Sequence, residues 1–381
     1  MKQFLFILKQ IFKMLTQHVL LPLVYRFWRV VYVGRTPDFI IFADAHHTSL
    51  PVSMEHIHRE LERRGFALID VFCDYEAMSA KETFTSAAKF MRLYVRASHV
   101  FICDNFLPVS SCRKRRETKV VQLWHACGAL KKTGYDAPDD VPPHYIGNVY
   151  KNYDLVTVSA PYSVPAFTGG MRQKEGVVRA TGVSRTDVYF DREWRENCRK
   201  RFIEDHPEAA AKKVIVWAPT FRGNAANPSG AGFEEIRALE ESLGDEYIII
   251  KKMHPHMEKA FPLSNSRIPT EELLAAADLL ITDYSSVIFD SALLDTPFVL
   301  FAPDLDEYRE QRGFYVEYEN MSPWLAESGG ELKEQVLKAL ADPYSSVWLA
   351  GFRDRYLCAC DGNATNRILS LVELGYYRTR E

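Results

Sequence analysis

Short, almost continuously apolar runs alternate with amphipathic stretches along most of this chain, and the alternation occurs twice. Runs with no polar face are typical of parallel strands that helices cover on both sides. Strands that alternate with helices predict an α/β fold with doubly wound sheets. The predicted strands are FIIFA (39–43), ALIDVF (67–72), HVFIC (99–103), KVVQLW (119–124), LVTVS (155–159), VVRAT (177–181), KVIVWAPT (213–220), YIIIKKMHP (247–255), LLITD (279–283) and FVLFAPD (298–304).

The alternation restarts near residue 190, and 381 residues are enough for two domains. The pattern therefore predicts two Rossmann-like domains, at 36–190 and 191–381, with a cleft between them. The final helix-rich stretch from Pro343 is a candidate to cross back onto the first domain. In open α/β sheets ligands bind at the carboxyl ends of the strands, so we expect the functional groups there.

Composition excludes several classes of function. A net charge of -3 argues against a nucleic-acid binder. Seven scattered cysteines without a CxxC pair favour a reducing compartment and give no firm metal site. The chain has no Walker phosphate loop, no dinucleotide-binding G-x-G-x-x-G, no H-E-x-x-H and no G-x-S-x-G.

The first 35 residues are apolar and carry six basic residues but no acidic one. On a helix, apolar residues from Phe4 to Val19 share one face, with Lys2, Lys9, Lys13 and Gln17 opposite. Such a helix lies flat on an anionic membrane surface. The alternative is a first helix that packs its apolar face on the domain core. A second basic cluster, at 113–116, adds some weight to membrane association.

The stretch ITDYSSVIFD, at 281–290, places two serines between a predicted strand and a predicted helix. The helix start leaves backbone N–H groups unpaired, and Ser285 and Ser286 add hydroxyls, which together suit a phosphate. Asp290 falls on the same helix face as Ser286 and is expected to accept hydrogen bonds from ribose hydroxyls. The alternative is a serine that caps the helix and binds nothing.

His125 follows a predicted strand and precedes a run of small residues. Because histidine titrates near neutrality, His125 is a candidate general base, although a structural histidine is the alternative. After a later strand, His254 is expected to donate to a phosphate, with Lys252 adding charge. Arg185 and Arg222 are candidates for contact with the same anionic ligand.

Six motifs occur along the chain from about residue 118 to 370: WHACGALKKTG, TGVSRTD, WAPTFR, KMHPH, ITDYSSVIFDSALLDTPFVLFAPDLDEYREQRGFY and DGNATNR. Together, and in this order, they resemble those of the CDP-glycerol glycerophosphotransferases of wall teichoic acid synthesis.

The resemblance implies a GT-B fold at the cytoplasmic face of the cell membrane, as a peripheral protein. It implies transfer of glycerol 3-phosphate from CDP-glycerol to a hydroxyl acceptor, with release of CMP. His125 matches the catalytic histidine of the family, and we expect His254 to assist it. The residues that match positions around CDP-glycerol are Arg185, Pro219, Thr220, Lys252, Met253, His254, Ser285, Ser286 and Asp290.

His-Ala-Cys-Gly-Ala at 125–129 resembles the primase branch, which adds the first glycerol phosphate to an N-acetylmannosaminyl-N-acetylglucosamine disaccharide on undecaprenyl diphosphate. A glycerol or ribitol phosphate polymerase of the same family, a nucleotide-sugar glycosyltransferase and a membrane-bound scaffold without activity remain alternatives. No cofactor is expected. The need for a divalent metal and the oligomeric state, with a homo-oligomer as one option, stay open.

Overall fold

A computed structural model describes residues 11, 14–34, 38–138, 140–141, 145–224, 227–253, 257–258 and 264–374. The chain divides into two compact units. Unit 1 comprises Met1–His125, Thr133–Asp187 and Asn363–Glu381, and unit 2 comprises Ala126–Lys132 and Val188–Gly362. The peptide bond after His125 is therefore one of the points at which the chain passes from unit 1 to unit 2.

Unit 1 is built on a six-stranded sheet in the order β2-β1-β3-β4-β5-β6, and every neighbouring pair is parallel. The winding reverses between β1 and β3, as in doubly wound folds. The strands are β1 (Phe39–Asp44), β2 (Leu68–Phe72), β3 (Ala97–Ile102), β4 (Lys119–Gln122), β5 (Leu155–Val158) and β6 (Val178–Ala180). The helices are α1 (Leu21–Val31), α2 (Val52–Arg63), α3 (Ala80–Tyr94), α4 (Leu107–Ser110), α5 (Val164–Gly170) and, from the carboxyl-terminal segment, α13 (Ala364–Leu371).

The carboxyl-terminal segment completes the core of unit 1. Ile368 and Leu369 of α13 are fully buried in one apolar cluster with Phe42, Phe101 and Val121 of the central strands. Helix α13 therefore supplies part of the hydrophobic core of unit 1.

Unit 2 has a five-stranded parallel sheet in the order β10-β7-β11-β12-β13 and a two-stranded antiparallel pair, β8-β9. The strands are β7 (Lys213–Trp217), β8 (Arg222–Asn224), β9 (Asn227–Ser229), β10 (Tyr247–Lys251), β11 (Leu279–Thr282), β12 (Phe298–Phe301) and β13 (Leu325–Ala326). The helices are α6 (Arg192–Asp205), α7 (Phe233–Ser242), α8 (Thr270–Ala276), α9 (Val287–Leu293), α10 (Leu305–Gln311), α11 (Gly329–Ala341) and α12 (Ser345–Tyr356).

All ten predicted strands are confirmed, although most end one to several residues earlier than the apolar runs do. The strands β8, β9 and β13 are additional. Helix starts follow local sequence signals, because Ser79 and Glu82 form a reciprocal capping box at the first turn of α3. The α/β class with parallel sheets is thus the observed fold.

The described part of the amino-terminal segment is helical from residue 14 to Val31, with a π-helical turn at Thr16–Leu20. Gln17, Leu21 and Tyr25 are buried, whereas Leu23 and Phe27 are 54% and 61% exposed. Ile11, Leu15 and Val19, the described residues of the predicted apolar face, are exposed, so that face does not pack on the core there. The helix packs on the rest of unit 1 through Leu21 and Tyr25 instead. Residues 1–10 and 12–13, including Phe4, Lys2, Lys9 and Lys13, lie outside the described residues. None of the described helices is long and apolar enough to cross a bilayer.

Candidate active site

His125 stands just beyond β4, after a residue in an unusual backbone conformation. Trp124 has a φ of 59°, a left-handed conformation that is uncommon for non-glycine residues and strained for a bulky one. Its backbone N–H donates to the Gln122 side chain at 2.9 Å, and its ring packs edge-on against Phe167. The His125 ring stacks on Trp124 at 4.5 Å between centroids. The turn therefore fixes the imidazole at the carboxyl edge of the sheet.

Asp104 holds the His125 ring from the neighbouring strand. Its carboxylate lies 3.4 Å from Nδ1 of His125, and Nδ1 is equally far from the carbonyl oxygen of Cys103. A carboxylate and a carbonyl both accept, so Nδ1 carries the proton and Nε2 is left as the basic atom. The imidazole is about half exposed. Asp104 was not among the predicted site residues, although an acidic residue directly after the predicted strand 99–103 was a signal that could have found it.

Arg185 meets His125 within unit 1. It is 7% exposed, and its Nε donates to the backbone carbonyl of His125 at 3.3 Å. The motif around it is tied to the carboxyl terminus, because the Asp187 carboxylate accepts the backbone N–H groups of Ala364 and Thr365 at 2.9 and 2.8 Å. The motifs TGVSRTD and DGNATNR thus come together where α13 begins, and they help to fix Arg185.

The serine corner of unit 2 differs in part from the prediction. The N–H groups of Val287, Ile288 and Phe289 donate to Ser285 Oγ, Ser285 O and Ser286 O at 3.3, 3.5 and 3.1 Å. The prediction that the backbone N–H groups at this helix start are unpaired is therefore wrong for these three residues. Ser285 acts as a cap, whereas Ser286 makes no capping hydrogen bond with its side chain, and both serines are partly exposed. The Ser286 hydroxyl at the positive end of α9 remains the candidate phosphate contact.

Asp290 and Thr220 are both buried near this corner of unit 2. Asp290 is 5% exposed and accepts a hydrogen bond from the Tyr189 hydroxyl at 2.9 Å. Pro219 and Thr220 follow β7, and the Thr220 N–H donates to Asp283 at 2.8 Å. In the described part of the chain the buried Thr220 hydroxyl has no hydrogen-bond partner. An unsatisfied buried hydroxyl is unusual enough to mark Thr220 as a candidate ligand contact.

Arg222 is held by acidic side chains of unit 2. Its guanidinium pairs with both oxygens of Asp304 at 2.6 and 2.9 Å and with Asp283 at 2.9 Å. Burial works to lower the pKa of Arg222, but the two carboxylates outweigh it and raise that pKa above its usual range. The Tyr284 hydroxyl also donates to Asp304 at 2.9 Å. Because its charge is already neutralised, Arg222 fits a positioning role better than the direct contact with an anionic ligand that the sequence suggested.

Lys252 and Met253 follow β10. The Lys252 backbone N–H donates to the carbonyl of Trp217 at 2.8 Å, which ties this loop to β7. Its ammonium group lies 3.4 Å from the Ser266 carbonyl, and burial lowers its pKa, with two nearby glutamates opposing that shift. Met253 is 4% exposed and forms part of the core of unit 2. His254 lies outside the described residues.

The segment 126–132, which directly follows His125, packs within unit 2. Gly128 has a φ of 66°, and a Cβ atom there would lie 2.3 Å from the ring of Phe289 on α9. Further along, the Lys132 N–H donates to the Gly313 carbonyl at 3.1 Å. Within unit 2, segment 126–132 is thus packed against the SSVIFD and RGFY motifs.

The described residues contain no group of three or more His, Cys, Asp or Glu side chains that could hold a metal ion. The candidate reactive and ligand-binding groups are therefore the His125–Asp104 pair in unit 1 and the Ser286, Thr220 and Lys252 side chains in unit 2.

A sequence model of the CDP-glycerol:poly(glycerophosphate) glycerophosphotransferase family matches residues 25–374. The chain belongs to this family. As a glycerophosphotransferase it is a transferase, and His125, Arg185 and the serine corner lie within the matched residues.

Curated relatives extend the comparison. The glycerophosphotransferase is 31% identical to the teichoic acid ribitol-phosphate primase of Bacillus spizizenii over 75% of its own length and 79% of the relative. It is 31% identical to the teichoic acid glycerol-phosphate primase of Bacillus subtilis over 72% of its own length and 74% of the relative. It is 30% identical to the teichoic acid poly(ribitol-phosphate) polymerase of Bacillus spizizenii, but there it spans only 56% of the relative. The match over most of each primase places the glycerophosphotransferase with the primase branch.

A solved structure of the wall teichoic acid polymerase TagF has the same fold. The TM-score is 0.71 at 23% identity, with 92% of this chain and 93% of that chain covered.

Proposed function

We propose that this glycerophosphotransferase primes wall teichoic acid synthesis. In the proposed reaction, glycerol 3-phosphate moves from CDP-glycerol to the N-acetylmannosaminyl-N-acetylglucosamine disaccharide on undecaprenyl diphosphate. The observation that carries the chemistry is the His125–Asp104 pair at the carboxyl edge of unit 1, with Nε2 left as the basic atom. Membership of the CDP-glycerol glycerophosphotransferase family supports CDP-glycerol as the donor.

In this proposal a hydroxyl oxygen of the acceptor attacks the phosphorus that bears glycerol. Its proton passes to Nε2 of His125, and Asp104 stabilises the imidazolium that forms. The bond between that phosphorus and the bridging oxygen breaks, so that CMP leaves with the bridging oxygen. The new bond is a phosphodiester between the acceptor and glycerol.

Unit 2 holds the donor in this proposal. Ser286 and Lys252 contact the diphosphate, Thr220 offers its buried hydroxyl, and His254 assists as the second catalytic residue. Charge stabilisation and positioning supply most of the rate enhancement in phosphoryl transfer. We further propose a GT-B arrangement in which the ligand edges of the two units serve one reaction.

The polyol has a second candidate. Similarity to a ribitol-phosphate primase favours CDP-ribitol as an alternative donor. Parallel assays with CDP-glycerol and CDP-ribitol separate the two, because the correct donor should give the higher kcat/KM.

The test of the chemistry is His125→Ala. CMP release should fall at least 100-fold, because general-base catalysis contributes about 10²–10⁴ in rate. CDP-glycerol binding, measured by calorimetry, should stay within about twofold, since the donor is held by unit 2. A His125→Ala variant that keeps a near-normal rate would show that His125 is not the base.

We also propose that the protein lies at the cytoplasmic face of the cell membrane as a peripheral protein. Exposed apolar side chains recur at helical spacing on the amino-terminal helix, and Arg26 and Arg29 are exposed beside them. Such a row suits the interface of an anionic bilayer. The exposed apolar residues are Ile11, Leu15, Val19, Leu23, Phe27, Val30, Val31 and Val33.

A further inference from the structure

A second histidine–carboxylate pair lies at the same edge of unit 1. Asp44, the last residue of β1, is 1% exposed, and its Oδ2 lies 2.8 Å from Nδ1 of His47. The same oxygen accepts the backbone N–H groups of His46 and His47 at 2.7 and 2.9 Å. The carboxylate therefore fixes both the turn and the His47 ring.

The His47 ring is presented outward rather than packed away. Its side chain is 55% exposed, and within the described residues its only hydrogen-bonded contact is with Asp44. Because Nδ1 faces a carboxylate, Nε2 is the atom left for a ligand. This is the arrangement already seen for His125 and Asp104.

The two pairs are close neighbours within the sheet. Strands β1 and β4 both pair with β3, so their ends lie about 10 Å apart, which is two strand spacings. A direct link joins them, since the Cys103 thiol lies 3.6 Å from Oδ1 of Asp44 and the Cys103 carbonyl lies 3.4 Å from Nδ1 of His125. A group bound at His47 would therefore belong to the molecule whose hydroxyl faces His125.

The charges at this edge favour a neutral polar ligand. Asp44, Asp74 and Asp104 stand at or just beyond the ends of β1, β2 and β3. In the part of the chain that the structure describes, the ion pairs of Asp44 and Asp104 are with histidines and not with lysine or arginine. Carboxylates repel an anionic group, whereas a sugar hydroxyl is neutral and can donate a hydrogen bond to a carboxylate oxygen or to Nε2 of a histidine.

We propose that His47, oriented by Asp44, is an acceptor-binding residue that hydrogen-bonds a sugar hydroxyl of the acceptor through Nε2. This inference rests on the proposed function for the identity of the acceptor. Its geometric basis lies within unit 1.

The test is direct binding of two probes to the full-length protein. One probe is the methyl glycoside of the N-acetylmannosaminyl-N-acetylglucosamine disaccharide, and the other is a short prenyl diphosphate without sugar. His47→Ala should weaken glycoside binding about tenfold, the contribution of roughly one hydrogen bond. His47→Gln, whose amide oxygen can accept the hydrogen bond that Nε2 accepts, should stay within about threefold of the wild type. The matched control is His46→Ala, which changes the adjacent exposed histidine and should bind as the wild type does.

Steady-state kinetics separate acceptor binding from a merely structural role, because a structural role would not change the KM for the acceptor alone. His47→Ala should raise the KM for the acceptor about tenfold and leave both kcat and the KM for CDP-glycerol unchanged. Unchanged glycoside binding in His47→Ala, or a wild type that does not bind the glycoside, would overturn the inference. A His47-dependent affinity for the sugar-free diphosphate would overturn it in favour of an anion contact. Glycoside binding that depends on His47 without any CMP release would uphold the inference and refute the proposed function.

Discussion

Gly128→Ala should destabilise unit 2 through two separable effects. The first is conformational, because Gly128 has a φ of 66°, and an L-residue in that region costs about 1–2 kcal/mol. The second is steric, because the new Cβ would lie 2.3–2.6 Å from three ring carbons of Phe289. Phe289 is fully buried and packs near Phe352 and Tyr356, so its ring has little room to move. Overpacking of this kind costs about 1–3 kcal/mol.

The total is about 2–5 kcal/mol, which corresponds to a lower Tm by about 4–20 °C for a unit of this size. Gly176→Ala, in unit 1, is the control for the conformational cost, because Gly176 has a φ of 81° but no atom within 4 Å of a new Cβ. It therefore carries the conformational cost alone. Calorimetry of both variants should show the larger decrease in Gly128→Ala.

A second substitution isolates the steric part. Phe289→Leu shortens the ring that meets residue 128, so the double variant should be less destabilised than the sum of the single variants predicts. A Tm of unit 2 that falls in Gly128→Ala by no more than that of unit 1 falls in Gly176→Ala, or strict additivity with Phe289→Leu, would refute the close packing of the segment after His125 on α9.

Three further predictions concern other parts of the molecule. Asp104→Asn should lower kcat at least tenfold with little change in the KM for CDP-glycerol, because it removes the carboxylate that orients His125; an unchanged kcat would exclude that role. Burial works to raise the pKa of Asp304, yet Arg222 outweighs it and holds that pKa below its usual range, so Asp304 stabilises the fold above about pH 4. This contribution is lost as the pH falls through the lower folded-state pKa, and acid should therefore destabilise the wild type more than Asp304→Asn in unfolding titrations. Phe27→Glu should move protein from liposomes of anionic lipid to the supernatant, whereas the control Val347→Glu, at a residue 67% exposed on α12, should not; equal partitioning would exclude the membrane role.

The sequence was enough to predict the elements that depend on local pattern. Continuous apolar runs such as FIIFA and LLITD become buried strands because parallel sheets exclude water from both faces. His125 and the serine corner could be located for the same reason, since each follows such a run. The helix start at Ser79 follows from a capping motif within four residues.

Features that depend on distant partners could not be predicted. Asp104 directly follows a predicted strand, but its contact with His125 is recognised only when β3 is known to pair with β4, and strand order is not visible in one sequence. Arg222 looked available for a phosphate because its partners Asp283 and Asp304 lie 61 and 82 residues away. The first turn of α9 appeared open because its hydrogen bonds to Ser285 and Ser286 depend on the geometry of the turn. Arg222 as a positioning residue stays a prediction. The roles of the other ten predicted site residues also stay predictions.

The most direct test of the proposed function is CMP release by the wild-type protein from CDP-glycerol. The acceptor is the N-acetylmannosaminyl-N-acetylglucosamine disaccharide on a short-chain prenyl diphosphate, and the products are weighed by mass spectrometry. We predict one CMP released per acceptor and a product heavier by a single glycerol phosphate. Long products would contradict priming and indicate a polymerase. No CMP release with this acceptor, from folded protein that binds CDP-glycerol, would contradict the proposed reaction itself.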